Sequence, residues 1–222
     1  MTRRLRVASW NIRKAFGLDW RRDPARVLRV LELVGPDVAL LQEADKRLPP
    51  RPPALPPAMM RAAGWDWVDA DPDTPSIGHH GNAVLMRQGI AAFEVIALDL
   101  PGLEPRGAAL VRLEGGLVVG ALHLGLRRID RLRQLRRVVG TVRRMGGPVL
   151  LGGDLNEWGR LPLPRGWQEV APGPSFHAQR PTLRLDRFLA GPGVGVSGSG
   201  VLARSHALRA SDHLPIWVDL EL

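Results

Sequence analysis

The chain of 222 residues contains no cysteine and no tyrosine, and only four phenylalanines. Without cysteine there is no disulfide, no thiolate metal site and no cysteine nucleophile, which fits a cytoplasmic protein. No apolar run approaches the roughly 18 residues that a membrane-spanning helix needs, so no stable membrane insertion is expected. The start, Met1-Thr2-Arg3-Arg4, is basic but lacks the apolar core and cleavage site of a signal peptide. Lysine is also scarce. Lys14 and Lys46 are the only two, so all other basic residues are arginine, and the net charge is +9. A basic balance suits a polyanionic partner such as nucleic acid or an anionic membrane surface. A compositional bias toward Arg, Ala, Gly and Pro accounts for the same numbers.

The six histidines form no His-Glu-x-x-His pair, which argues against a zinc protease site. No Gly-x-Ser-x-Gly elbow sits between a strand and a helix. The glycine-rich run Gly195–Gly200 has no helix behind it.

Apolar segments account for most of what is present. Leu5–Ile12 alternates as a first strand. Asp23-Pro24 starts a helix, with Asp as the cap and Pro at the first helical position. Val27, Leu28, Leu31 and Val34 form its stripe, and Gly35-Pro36 stops it. Asp37–Glu43 is a buried strand, so this β-helix-β order implies a parallel pair. Residues 49–57 hold six prolines and read as an ordered surface loop. A short helix near 58–63 and a strand near 65–68 follow. Segments 82–87, 91–98, 108–113 and 117–124 read as an antiparallel meander. Ile129–Met145 is the longest helix, with Ile129, Leu132, Leu135, Val139, Val142 and Met145 on its apolar face. Arg128, Arg131, Arg136 and Arg143 are expected on its solvated side. Further strands are expected at 149–151, 183–189, 194–196 and 216–220. One domain over residues 1–222 is the economical reading, as two packed sheets between helical layers.

Polar residues close the apolar strands in a recurring way. Gly153-Asp154-Leu155-Asn156 ends one strand, and Asn11, Glu43, His123 and Ser211-Asp212-His213 end others, with Asp186 inside a further one. Any single case is explained by a turn or a salt bridge. Together they describe an oxygen-rich site for a hard cation, Mg²⁺ or Mn²⁺. Glu43 is the best single ligand, because a charge ending an apolar strand needs a cation.

In order, Trp10-Asn11-Ile12, Leu41-Gln42-Glu43, Gly81-Asn82-Ala83, His123-Leu124, Gly153-Asp154-Leu155-Asn156, Leu185-Asp186-Arg187 and Ser211-Asp212-His213-Leu214-Pro215 resemble the endonuclease/exonuclease/phosphatase superfamily. The resemblance runs from Arg6 to Leu220. It implies an α/β fold, a four-layer α/β/β/α sandwich of two packed, mainly antiparallel mixed sheets flanked by helices. It implies that Glu43 binds the metal with Asn11 and Asp212. Asp154 would orient or deprotonate the attacking water, and Asn156 would hold the phosphate. Asp186 would orient His213, and His213 and His123 would stabilise the transition state or handle protons. Arg106 matches the position of a phosphate-contacting Arg or Tyr. Asn82 reads as a structural hydrogen-bonder and His80 as a loop histidine.

The expected activity is hydrolysis of phosphodiesters by a monomer, with nucleic acid the favoured substrate. A phospholipid, an inositol phosphate or another phosphomonoester are the alternatives. A non-catalytic nucleic-acid-binding module is the reading from another class. Trp158 and Trp167 are the aromatics closest to the Asp154 motif and could stack a base.

Overall fold

The computed structural model describes residues 4–46, 50–204 and 206–221. The basic start at residues 1–3 and Pro49 of the proline loop lie outside the described residues. Twelve strands form two sheets of six. The first has the order β11-β12-β1-β2-β4-β3, from β1 (Arg4–Asn11), β2 (Val38–Gln42), β3 (Trp65–Trp67), β4 (Ala83–Arg87), β11 (Gly195–Val201) and β12 (Ile216–Glu221). The second has the order β5-β6-β7-β8-β10-β9. Its strands are β5 (Ala92–Leu100), β6 (Arg106–Leu113), β7 (Val118–His123), β8 (Val149–Asp154), β9 (Gln168–Val170) and β10 (Asp186–Ala190).

Each sheet has a single parallel pair, and a helix bridges it. α1 (Pro24–Val34) carries the chain from β1 to β2, and α3 (Arg128–Met145) carries it from β7 to β8. The remaining neighbours run antiparallel. Asp23 caps α1 by accepting a hydrogen bond from the Arg26 backbone amide, and Gly35 closes it in the left-handed conformation.

The apolar residues fall into three clusters, one for each interface between four layers. α1 with the short helices α2 (Pro57–Ala62) and α4 (Ala207–Ala210) covers the outer face of the first sheet. Val7, Val38, Leu40, Val111, Val119 and Phe188 fill the space between the sheets. Leu135, Val138, Val139 and Val142 of α3 cover Leu110, Leu122 and Leu151 on the second sheet. Strand periodicity explains the division. Ala39 and Leu41 of β2 face the helices, whereas Val38 and Leu40 face the other sheet. This is the four-layer sandwich expected.

Three local expectations are corrected. The segment at 82–87 does not join the meander. β4 lies in the first sheet between β2 and β3, with both edges paired, and the chain crosses to the second sheet before β5. The α3 stripe is rotated in its first turn. Ile129 is exposed there, while Asp130, Arg131 and Gln134 are buried. Arg131 is therefore not solvated: its Nε lies 3.1 Å from Glu157 Oε2. Gln134 accepts from the Gly125 amide and donates to the Pro101 carbonyl, so this end of the helix holds loops through polar contacts. The described part of the proline-rich loop inserts Ala54 and Leu55 into the helix-covered core.

Candidate active site

The two parallel pairs point their C-terminal ends toward each other. β1 ends at Asn11 and β2 leads into Glu43; β7 ends at His123 and β8 at Asp154. Parallel register sets His123 beside Asp154. Antiparallel register sets Asp186, the first residue of β10, on the other side of Asp154. Gly153 permits the close strand contact, since a Cβ there would fall on the Leu122 carbonyl.

Asp154 is the centre of the group. Its Oδ2 accepts from Asn11 Nδ2 at 3.1 Å, a contact between the two sheets. The same oxygen lies 3.4 Å from His123 Nε2 and 3.5 Å from His213 Nε2. Its Oδ1 accepts from the Asn156 backbone amide at 3.0 Å. On the far side of His213, Nδ1 is 2.8 Å from Asp186 Oδ2, and Ser175 Oγ donates to that same oxygen. Two backbone tethers place His213: its carbonyl accepts from Trp10 Nε1 at 2.8 Å, and its amide donates to Ser211 Oγ.

Electrostatics gives the neighbours different roles. Burial is the largest influence on Asp154 and pushes its carboxyl up to about 6; the Asp186 charge adds to this, while His213 and Asn11 oppose it. Burial works to lower His213, but the charge and hydrogen bond of Asp186, with Asp154 and Asp212, win and raise it to about 10. At neutral pH His213 is an imidazolium.

A cavity of about 280 Å³ opens beside this centre and shares His123 with it. Lys14, Glu43, Arg51, His80 and Arg106 also line it. The Arg106 side chain is 6% exposed and holds Glu104 at 2.6 Å. Its Nε is buried with no hydrogen-bond partner among the described atoms. A larger hollow of about 560 Å³ lies elsewhere, beside Arg26, whose guanidinium is already held by Asp19 and Asp23.

Each expected metal ligand already has a neighbour. Glu43 is ion-paired with Lys14, and Asp212 Oδ2 is 3.9 Å from Arg13 Nε. Asn11 Oδ1 accepts from the Arg13 amide at 3.1 Å. Among the described residues, the sets of three or more His, Asp or Glu donors within 4.8 Å are Asp154–Asp186–His213 and His79–His80–Asp99; Glu43 and Asp212 belong to neither. The first set could hold a divalent ion, but a charged His213 bound to Asp186 favours proton handling over ligation there.

Asn156 turns its side-chain amide to the Leu124 carbonyl at 2.9 Å. Asn82 bonds the Gly107 carbonyl at 2.9 Å, the structural role expected for it. His80, in a turn as expected, also lines the cavity. Lys14 and Arg51 are cavity residues that sequence reasoning missed. Both share a backbone feature with other residues of the site, although Ala15 and Trp20, outside the cavity, have it too. Arg13, Lys14, Glu43, Arg51, His80 and Asn156 all have positive φ, which is uncommon outside glycine and gathers at functional sites.

The Endonuclease/Exonuclease/phosphatase family model matches residues 8–213. The chain belongs to that family. "Uncharacterized protein YbhP" of Escherichia coli K12 is 32% identical over 163 residues, which cover 65% of this chain and 64% of the relative. The chain thus matches a little under two thirds of that relative's length. An endonuclease/exonuclease/phosphatase structure from Beutenbergia cavernae is 26% identical, with a TM-score of 0.76 over 99% of this chain and 72% of that one. Two more distant structures share the fold. D. rerio TDP2 complexed with single-strand DNA product has TM-score 0.72 at 19% identity, covering 99% of each chain. The mannosyl-6-phosphatase Bt3783 of Bacteroides thetaiotaomicron has TM-score 0.74 at 18% identity, over 97% of this chain and 99% of that one. Among the described residues no helix is long and apolar enough to cross a membrane.

Proposed function

We propose that the chain is a Mg²⁺- or Mn²⁺-dependent phosphodiesterase that cleaves nucleic acid with little sequence preference. The observation that carries this reading is the convergence of Asn11, His123 and His213 on Asp154, beside a cavity walled by Glu43 and Arg106. Glu43, Asn11 and Asp212 would hold the metal. Their hard oxygen donors fit it, and the Lys14 ammonium on Glu43 marks that carboxylate as a place for positive charge. When bound, the ion would place positive charge against the phosphate oxygens.

The protein side chains divide the remaining work. Asp154 orients the attacking water and takes its proton; a carboxyl that titrates near 6 is ionised at neutral pH yet still basic. His213, charged and fixed by Asp186, stabilises the negative charge that builds on the phosphoryl oxygens. His123 approaches the same carboxylate from the cavity side. The buried, unpartnered Nε of Arg106 is a ready donor to a phosphate oxygen, with Asn156 as a further phosphate contact.

Two features favour nucleic acid. The net charge of +9 attracts phosphate chains irrespective of sequence. Trp158, two residues beyond Asn156, is 76% exposed and offers a stacking face, whereas Trp167 packs against the α3 core. The fold alone does not choose, since it is shared by a protein bound to DNA product and by a sugar phosphatase. The test is a substrate panel of plasmid DNA, single-stranded DNA, RNA, a sphingomyelin or phosphatidylinositol, inositol phosphates and a sugar phosphate, each with Mg²⁺ and with Mn²⁺. Cleavage of nucleic acid that falls steeply with salt supports the proposal. Activity confined to a lipid or a phosphomonoester overturns the substrate, and activity indifferent to chelation overturns the metal.

A further inference from the structure

The second donor set lies on the rim of the cleft and joins the two sheets. His79 and His80 stand in the turn before β4 of the first sheet, and Asp99 lies near the end of β5 in the second. His79 Nε2 is 2.9 Å, and His80 Nε2 is 3.2 Å, from the same Asp99 oxygen. Neighbouring side chains of an extended chain point to opposite faces. A left-handed φ of 48° at His80 instead brings both rings to one carboxylate. Opposite Asp99 in register is Gly107 of β6. A Cβ on Gly107 would come within 2.6 Å of the His79 ring and 2.9 Å of the His80 ring, so glycine leaves the space that both rings use. The other ring nitrogen of His79, Nδ1, is buried with no hydrogen-bond partner among the described atoms. Asp71 Oδ2 stands 3.8 Å from it.

We propose that His79, His80 and Asp99 form a zinc site, separate from the Asp154 centre, that clamps the two sheets together at the mouth of the cleft. Zinc bonds of about 2.0–2.1 Å at tetrahedral angles set neighbouring donors about 3.3 Å apart, close to the 2.9 and 3.2 Å from the two ring nitrogens to the Asp99 oxygen, and all three donors lie within 4.8 Å of one another. Two imidazoles and one carboxylate with an open fourth position are a donor set zinc accepts; Mg²⁺ and Ca²⁺ prefer oxygen alone. A ligating histidine needs a partner for its second ring nitrogen, and Asp71 stands on that side of His79. The competing arrangement is a hydrogen-bonded cluster in which Asp99 accepts from two ring N–H groups and no ion is needed.

The test uses the full chain, stripped with a chelator and titrated with Zn²⁺ alone. Bound zinc is counted after equilibrium dialysis, and thermal unfolding is followed in parallel. The wild type is expected to hold one zinc more than Asp99→Asn. With free Zn²⁺ about a hundredfold above its dissociation constant, the wild-type unfolding midpoint should rise by roughly 5–10 °C and the variant's should not. The Asp99 side chain is 77% exposed, so this variant should fold. His80→Gln should lose the same zinc, and Co²⁺ in its place should give a tetrahedral visible spectrum in the wild type but not in Asp99→Asn or His80→Gln. Glu43→Gln should keep this zinc, which separates the rim site from the ion proposed for the cleft. Failure of the wild type to bind zinc, or equal binding by Asp99→Asn, would overturn the proposal and leave the hydrogen-bonded cluster. So would zinc that is lost with Glu43 and kept without Asp99.

Discussion

Replacing Asp186 by Asn keeps the shape of a fully buried side chain and removes its charge, 2.8 Å from His213 Nδ1. Burial disfavours a charged His213, and the surrounding carboxylates overcome that to hold it at about 10, against an ordinary value of 6.5. The folded protein therefore binds this proton more tightly than the unfolded chain does. The stabilisation that follows is complete below about pH 6.5 and disappears as pH rises through about 10. Removing one partner of a buried pair costs about 3–5 kcal/mol. The raised pKa, at about 1.4 kcal/mol per unit, gives the same order. Without Asp186 the imidazole should be largely neutral at about pH 8. The turnover number should then fall about 10²–10⁴-fold, the usual weight of a proton-handling group. The assay is the pH dependence of kcat/KM on a chromogenic phosphodiester at constant ionic strength. In the wild type, activity should rise through about pH 6 as Asp154 ionises and fall through about pH 10 as His213 loses its proton. In Asp186→Asn the alkaline limb should move toward neutrality while the acid limb stays on the acid side. Adding His213→Gln to Asp186→Asn should cost little more than His213→Gln alone, because coupled residues are not additive. An alkaline limb unmoved by Asp186→Asn, or losses that multiply in the double variant, would refute the dyad.

Glu43→Gln removes a charge and almost no volume; it should cut turnover roughly 10²-fold or more, partly restored by excess Mg²⁺ or Mn²⁺, with an unchanged circular dichroism spectrum. Arg131→Gln removes one of the two arginines that hold Glu157, leaving Arg128 and the Gly159 amide, and should destabilise by about 1.5–3 kcal/mol in urea unfolding, whereas Arg136→Gln on the exposed side of α3 should stay within about 0.5 kcal/mol. Gly153→Ala sets a methyl against the Leu122 carbonyl between β7 and β8; it should cost about 1–3 kcal/mol of stability and lower activity by shifting Asp154, visible as a reduced urea midpoint together with a reduced kcat.

The strands were legible because burial imposes a period of two on them. Asn11, His123 and Asp154 could be read at strand ends from the polar residue that closes each apolar run. The crossover from β1 to β2 followed from β-helix-β order, and that parallel pair is present; the second one, from β7 to β8, repeats the same order. The sheet assignment of β4 was not legible. An apolar alternation records that a face is buried, not which neighbour buries it, so 82–87 looked like part of the meander until its two edges were seen to be occupied. α3 shows the same limit in its first turn, where Ile129 is exposed and Arg131 is buried because Glu157, 26 residues away, supplies the compensating charge.

By itself the sequence determined the composition of the site: carboxylates, amides and imidazoles at strand ends, and the order in which they come. Those properties are local, and chain periodicity reports them. Tertiary structure alone decided who meets whom. Asn11 reaches Asp154 across 143 positions. Lys14 covers Glu43, and His79 and His80 find Asp99 on the opposite sheet. The Asn11 and His79–His80 pairings depend on how two twisted sheets stack, and the Lys14 pairing on which strand ends lie side by side within one sheet. That geometry is set by the sum of the packing across the central core, and no short stretch of chain carries it.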